Sequence, residues 1–443
     1  MRQSFRKPAW ALLVGLAACD FAPEDSFVGD TAAVVVESAT PEVVEDPCPT
    51  VPDENACEEN VLVVCRQGHP KRIDCDTQEC GLGEDGLYAC LDRTLDDNPV
   101  PNDLSGMAEV LAGTLSTNGS GLAAFTVDGT GLASFLIQAN VATGLYVWLA
   151  ELRDPNNRVI RLDSPLLNTA TYAGPDVTLA WPSRLEDGPL LNGSYTITLQ
   201  VASQNGFGVR NEPVEVTVLN KTDDDLDAGQ LHVAIVYPGI TTIPADLDQG
   251  VSLAVDGWRT IYARYGLELV VEYYTASTYD AVMPSPGGGG DYYTGLTAAT
   301  ENTDIVVVMG EDFTRDVGGD VLGQAGNIPG TPTTGPRAVI GVSWLRHAGT
   351  NGRFSGDEVS SLATTLAHEV GHFSGLFHPV ETTWSDFDPL GDTRECDGDA
   401  QCYNRLGTNL MFPISTCFAA GCEDDVEITA DQVGVLQLYP GTL

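Results

Sequence analysis

Three of the chain's six histidines fall in one eleven-residue stretch, HEVGHFSGLFH, from His368 to His378. His368 and His372 are four residues apart, which on a helix stacks them on one face, one turn above the other. The preceding residues predict that helix from about Asp357 to Phe373. Ser355 can cap its start, and Asp357 and Glu358 put negative charge where the helix dipole favours it. Val359, Leu362, Leu366, Val370 and Phe373 recur at helical spacing as a core-facing stripe. The histidines are then expected to face a cleft, behind Ser361, Thr364 and Thr365. Gly375 lets the chain leave the helix, because glycine takes positive φ at little cost, and the turn returns His378 to the other two. Three imidazoles so placed suit a zinc ion with its fourth position open to water. Glu369 starts the neighbouring face, within reach of that water as a general base. The competing reading, surface histidines on an ordinary helix, does not explain the glycine and the third histidine at these offsets.

Composition limits the partners. The chain has 443 residues, 63 of them acidic and 21 basic, for a formal net charge of −42. A surface that acidic repels phosphate backbones, so no nucleic-acid partner is expected. Hydrophobic residues make up 43% of the chain, enough to build cores in several folded units.

The N-terminus has the pattern of an export signal. Arg2, Arg6 and Lys7 precede a short apolar run from Ala9 to Ala18, too short to span a bilayer. It ends in Leu16-Ala17-Ala18-Cys19, which resembles the lipobox of bacterial lipoproteins. That resemblance implies a signal over 1–18, lipidation at Cys19 and a membrane partner through the lipid. The expected location is the bacterial cell envelope, facing an oxidising compartment such as the periplasm or cell surface. The other cysteines agree. Six lie between Cys48 and Cys90, and four are Cys396, Cys402, Cys417 and Cys422. Even groups of this kind are expected to form disulfides, with the pairing left open.

The pattern along the chain predicts several units. Residues 19–46 are an acidic tether, and 47–93 a cysteine-rich module held by disulfides. Residues 108–220 read as an all-β sandwich. Tyr195, Ile197, Leu199 and Val201 alternate with polar neighbours, as do Val214, Val216 and Val218. Its expected role is that of a spacer. From 230 to 443 strands alternate with helices, predicting an α/β unit with a mixed sheet and the histidine helix. Strands are expected at Leu231–Tyr237, Leu267–Tyr274, Ile305–Met309 and Arg337–Trp344, and a helix at Val251–Tyr265. Val321–Ile328 is the candidate edge strand for an extended substrate.

The motif HExxHxxGxxH resembles that of the metzincin zinc peptidases. The resemblance implies a methionine turn beneath the metal, and Met411, in Thr408-Asn409-Leu410-Met411-Phe412-Pro413, matches it. Cysteines flanking that turn, Asp392-Thr393, and Ile428-Thr429 with Gln432 look most like the pappalysin-type branch. Leu231 to Leu443 carries the resemblance. It implies a metzincin-like catalytic domain, zinc as cofactor and a protein or peptide substrate. It also implies structural calcium nearby, for which Asp386, Asp388, Asp392, Asp397 and Asp399 are the candidate oxygen ligands, a solvated acidic loop being the alternative. The expectation is therefore a lipid-anchored zinc metalloendopeptidase in which Glu369 activates the zinc's water. The alternative is a catalytically inactive surface-binding lipoprotein that keeps the peptidase-like domain for adhesion.

Overall fold

The computed structural model describes residues 107–161 and 174–442 apart from short loop stretches, together with the backbone of five strands between Ala56 and Leu91. Those five strands form a three-stranded antiparallel sheet and a separate hairpin. The signal segment, Cys19, the acidic tether and the side chains of the cysteine-rich module lie outside the described residues.

Alternating hydrophobicity builds two four-stranded antiparallel sheets. One runs in the order Val159–Ile160, Leu145–Arg153, Ser194–Ser203, Leu122–Asp128. The other runs Asp176–Trp181, Ser134–Asn140, Pro213–Lys221, Met107–Ser116. Tyr195, Ile197, Leu199 and Val201 point inward from the first, and Val214, Val216 and Val218 from the second, into one shared core. The Asp154–Asn157 turn closes with Asn157 at φ 63° and with the Arg158 N–H donating to Asp154 Oδ1 at 2.8 Å.

A five-stranded sheet follows, in the order Leu267–Ala276, Gly229–Pro238, Ile305–Gly310, Ile340–Ser343, Gly323–Ala325. Its first four strands are parallel, and the last runs antiparallel at the edge. The runs of Val and Ile in the inner strands are buried along their length, as sheets covered on both faces require. Among the described residues six helices accompany it: α1 (Ala245–Ala263), α2 (Gly290–Thr297), α3 (Trp344–His347), α4 (Gly356–Phe373), α5 (Asp399–Leu406) and α6 (Ala430–Leu438). The helix expected at Val251 starts a turn and a half earlier, behind Pro244, with Asp246 and Asp248 in its first turn. The strand expected over Arg337–Trp344 is shorter. Trp344 begins α3, where the Ser343 hydroxyl accepts from the Arg346 N–H at 3.3 Å.

The sandwich packs directly against the α/β unit. Leu136 and Leu219 belong to the same core as Leu231, Leu436 and Tyr439 of the α/β unit. Ser134 Oγ donates to the Leu438 carbonyl at 2.5 Å, and Arg184 Nη1 to the Pro389 carbonyl at 2.7 Å. Lys221, fully buried, donates to the Thr442 carbonyl. A shared core and buried polar pairs join the two units far more firmly than a linker could. Among the described residues no helix is long and apolar enough to cross a membrane.

Candidate metal centre

Helix α4 carries the centre, and its sequence secures both ends. Ser355 is the N-cap, and the Glu358 carboxylate accepts from the Ser355 N–H at 2.6 Å. At the far end Gly375, at φ 111°, turns the chain back, and the Leu376 N–H closes on the Gly371 carbonyl at 2.9 Å. The two expected faces form: Val359, Leu362, Leu366, Val370 and Phe373 join the main core, while Thr364, Thr365 and His368 line a recess. Every residue from Val359 to Phe373 is buried. The polar positions are small and satisfied locally: Ser360 Oγ donates to the Gly356 carbonyl, Thr364 Oγ1 to the Ser360 carbonyl, and Ser361 Oγ meets His347 Nδ1 at 3.3 Å.

His368, His372 and His378 converge, with one ring nitrogen of each within 4.8 Å of the others. Each Nδ1 already has a partner. His368 donates to the Leu410 carbonyl at 2.7 Å, His372 to the Leu376 carbonyl at 2.6 Å, and His378 to Glu381 Oε2 at 3.0 Å. With Nδ1 protonated, each ring turns an Nε2 lone pair inward. His372 Nε2 and His378 Nε2 lie 3.1 Å apart, and His368 Nε2 is buried without a hydrogen-bond partner. Three inward lone pairs repel one another unless a cation sits between them. Tetrahedral zinc, at about 2.0–2.1 Å from each nitrogen, sets neighbouring nitrogens about 3.3 Å apart. The donor set and its spacing fit zinc. Burial and the neighbouring imidazoles hold His368 far below its usual pKa, at about 3, and His372 well below its own. Both are therefore neutral near pH 7, as metal ligands must be.

The residues around the ligands hold them in place. Met411 is fully buried, and its Sδ lies where a Cβ on Gly371 would come within 2.6 Å. The methionine thus fills the space beneath the turn carrying the first two histidines. Its own turn is fixed by Asn409, whose Oδ1 accepts from the Met411 N–H at 2.9 Å. The Asn409 amide also donates to Gln432 Oε1 of α6 at 2.8 Å. Glu369 is fully buried, and Gly323 of the edge strand packs on it. A Cβ there would meet Glu369 Cγ at 2.7 Å and Oε1 at 3.0 Å. A recess of about 30 Å³ reaches His368 between Thr364, Thr365, Leu410, Ile414 and Thr416, with no charged residue in its lining.

The five aspartates do not converge as the histidines do. Asp386 accepts from Thr383 Oγ1 at 2.7 Å, Asp397 is held by Gln401, and Asp399 begins α5. Asp392 instead meets Asp431 of α6, each carboxylate accepting the other's backbone N–H, at 2.8 and 3.2 Å. Asp388 is the buried member, accepting from the Leu390 N–H and from Thr393. Burial, with Asp392 and Asp431 nearby, raises it to about 7. The cysteine pairing left open by the sequence is local: Cys396 with Cys402 and Cys417 with Cys422. Two disulfides mark an oxidising compartment.

Sequence reasoning missed Glu381. It lies three residues beyond His378, on a loop, and no periodicity marks it. Its carboxylate orients the third ring. Glu381→Ala is expected to weaken zinc affinity by about 10–100-fold while leaving the fold intact. Competition against a chromogenic chelator measures it, and unchanged affinity would exclude the orienting role.

No protein-family model matches the chain, and no curated protein matches it. Among solved structures, the chain is similar to metalloproteinase-II from Bacteroides fragilis. That likeness has 9% identity and a TM-score of 0.28, and covers 54% of this chain and 64% of that one. A family two carbohydrate esterase from Cellvibrio japonicus follows at 10% identity and a TM-score of 0.12, over 38% of this chain and 50% of that one. The chain spans less than two thirds of either structure's length.

Proposed function

We propose that this protein is a zinc-dependent endopeptidase of the metzincin type, exported and anchored through a lipid on Cys19. The observation that carries the reading is the inward convergence of three Nε2 lone pairs, each ring locked by an Nδ1 hydrogen bond, beside a buried glutamate. His368, His372 and His378 hold the metal, and Met411 supports them from below. When bound, zinc supplies a Lewis acid that polarises a carbonyl and acidifies water.

The chain's residues do the rest. Glu369 accepts a proton from the attacking water and returns it to the leaving amine. The three histidines keep their orientation through the Leu410 and Leu376 carbonyls and Glu381. An extended peptide pairs with the outermost strand, Gly323–Ala325, which runs directly over the base because Gly323 has no side chain. This strand lies inside the segment Val321–Ile328 expected from the sequence and is shorter than it. The uncharged recess beside His368 then accepts an uncharged side chain next to the cleaved bond.

A peptide-library digest of the zinc-loaded chain, read by mass spectrometry, tests the proposal. The expected result is cleavage at internal peptide bonds, lost in the Glu369→Gln variant. Zinc binding with no cleavage would favour an adhesive lipoprotein, and turnover of ester substrates alone would favour a different hydrolase.

A further inference from the structure

The sandwich reaches the edge strand through one buried carboxylate. Asp176 is the first residue of the strand Asp176–Trp181, and its side chain is 7% exposed. Asp176 Oδ2 accepts from Asn327 Nδ2 at 2.7 Å. Asp176 Oδ1 lies 3.0 Å from Arg337 Nε, an ion pair largely screened from water. Asn327 and Arg337 stand at the two roots of the connection between the strands Gly323–Ala325 and Ile340–Ser343. Between those roots the Gly326 N–H donates to the Val339 carbonyl at 2.9 Å, and a Cβ on Gly326 would clash with the Arg337 backbone at 2.3 Å. The first arm continues to Gly330. Its N–H donates to the carbonyl of Phe373, the residue after His372, at 2.7 Å, and its carbonyl accepts from Tyr439 at 3.0 Å.

We propose that Asp176 is a positioning residue that clamps both roots of this connection and so sets the height of the edge strand over Glu369. The inference rests on the peptidase reading, in which that strand holds the substrate. Its physical basis is the short lever. Gly323 is three residues from Gly326 and touches Glu369, so loosening the roots moves the strand against the base. A buried carboxylate has no other stated use at this place. Burial raises its pKa, against the pull of Arg337 and Asn327. The sandwich thereby becomes part of the substrate-binding apparatus, and the Asp176 interaction is the part of the interface aimed at it.

The test is Asp176→Asn in the full zinc-loaded chain. It removes the charge opposite Arg337 and keeps the size. Two peptides are compared: an extended one that pairs along the strand, and a truncated one that ends at the cleaved bond. KM for the extended peptide is expected to rise about tenfold, with kcat held within about twofold and the truncated peptide unaffected. Zinc stoichiometry stays the same. Hydrogen exchange of amides in 323–327 should speed up by about tenfold without substrate. If Asp176→Asn does not yield folded protein, Arg337→Gln, altering the less buried partner, carries the same readouts. An unchanged KM with unchanged exchange overturns the clamp. So does an equal loss on both peptides or loss of zinc, either of which is a general structural effect. If the wild-type chain cuts neither peptide, the peptidase reading fails, and the exchange measurement alone decides whether Asp176 fixes the strand.

Discussion

Glu369→Gln is expected to lower peptide hydrolysis by about 10²–10⁴-fold, the usual contribution of a positioned general base, while the chain still binds one zinc. The substitution keeps the volume of a side chain that is fully buried and packed against Gly323. It leaves the three ring nitrogens and their Nδ1 partners alone. What it removes is the capacity to take a proton, because an amide is not a base. The prediction is read in two measurements: kcat/KM on a fluorogenic peptide, and metal content after dialysis. Activity equal to wild type would place the base elsewhere. Loss of metal with loss of activity would mean that Glu369 holds the site together and is not its base. The neighbouring Glu381→Ala behaves in the opposite way, losing affinity first, because its carboxylate touches a ligand and not the reacting water.

How much of this was legible depends on the range of the interactions. The i, i+4 histidines and the turn at Gly375 are local features, and a helix and one glycine suffice to place them. The alternation from Tyr195 to Val201 is local too, and the strand formed where it pointed. The depth to which the polar side is buried was not legible. Ser361, Thr364 and Thr365 read as a polar side, yet hydroxyls that bond back to their own helix or to His347 can be buried at little cost. The role of the sandwich was illegible for a different reason. Asp176 meets Asn327 and Arg337 only after both units have folded, and no spacing in the sequence pairs a strand-end aspartate with residues in another sheet. The sequence left the five aspartates between calcium ligands and a solvated acidic loop; in the structure Asp386, Asp397 and Asp399 are held by local turns or a helix start, and Asp392 pairs across to Asp431. Density along a chain predicts proximity only when the segment is a regular element.

His372→Ala should abolish tight zinc binding and cleavage together, and it should also remove the stabilisation that zinc gives. His372 is the central ring of the three: fully buried, 4.5 Å by ring centroid from His368 and 4.7 Å from His378. With one ligand gone, two imidazoles remain, too few for a stable open site. A metal that binds only the folded chain raises stability by mass action, by about 2.7 kcal/mol when its free concentration is a hundred times Kd. In wild type a strong chelator should therefore lower Tm, and restored zinc should raise it again. In His372→Ala the same additions should leave Tm unmoved. The metal-free wild type has a further handicap that the variant lacks, since His372 Nε2 and His378 Nε2 then face each other 3.1 Å apart. The variant is destabilised instead by the cavity left where the buried ring stood, so metal-free stabilities alone do not discriminate. The zinc response does. A wild-type Tm indifferent to chelator would mean that the three rings share no ion, and a His372→Ala variant that still responds would place the ion elsewhere in the chain.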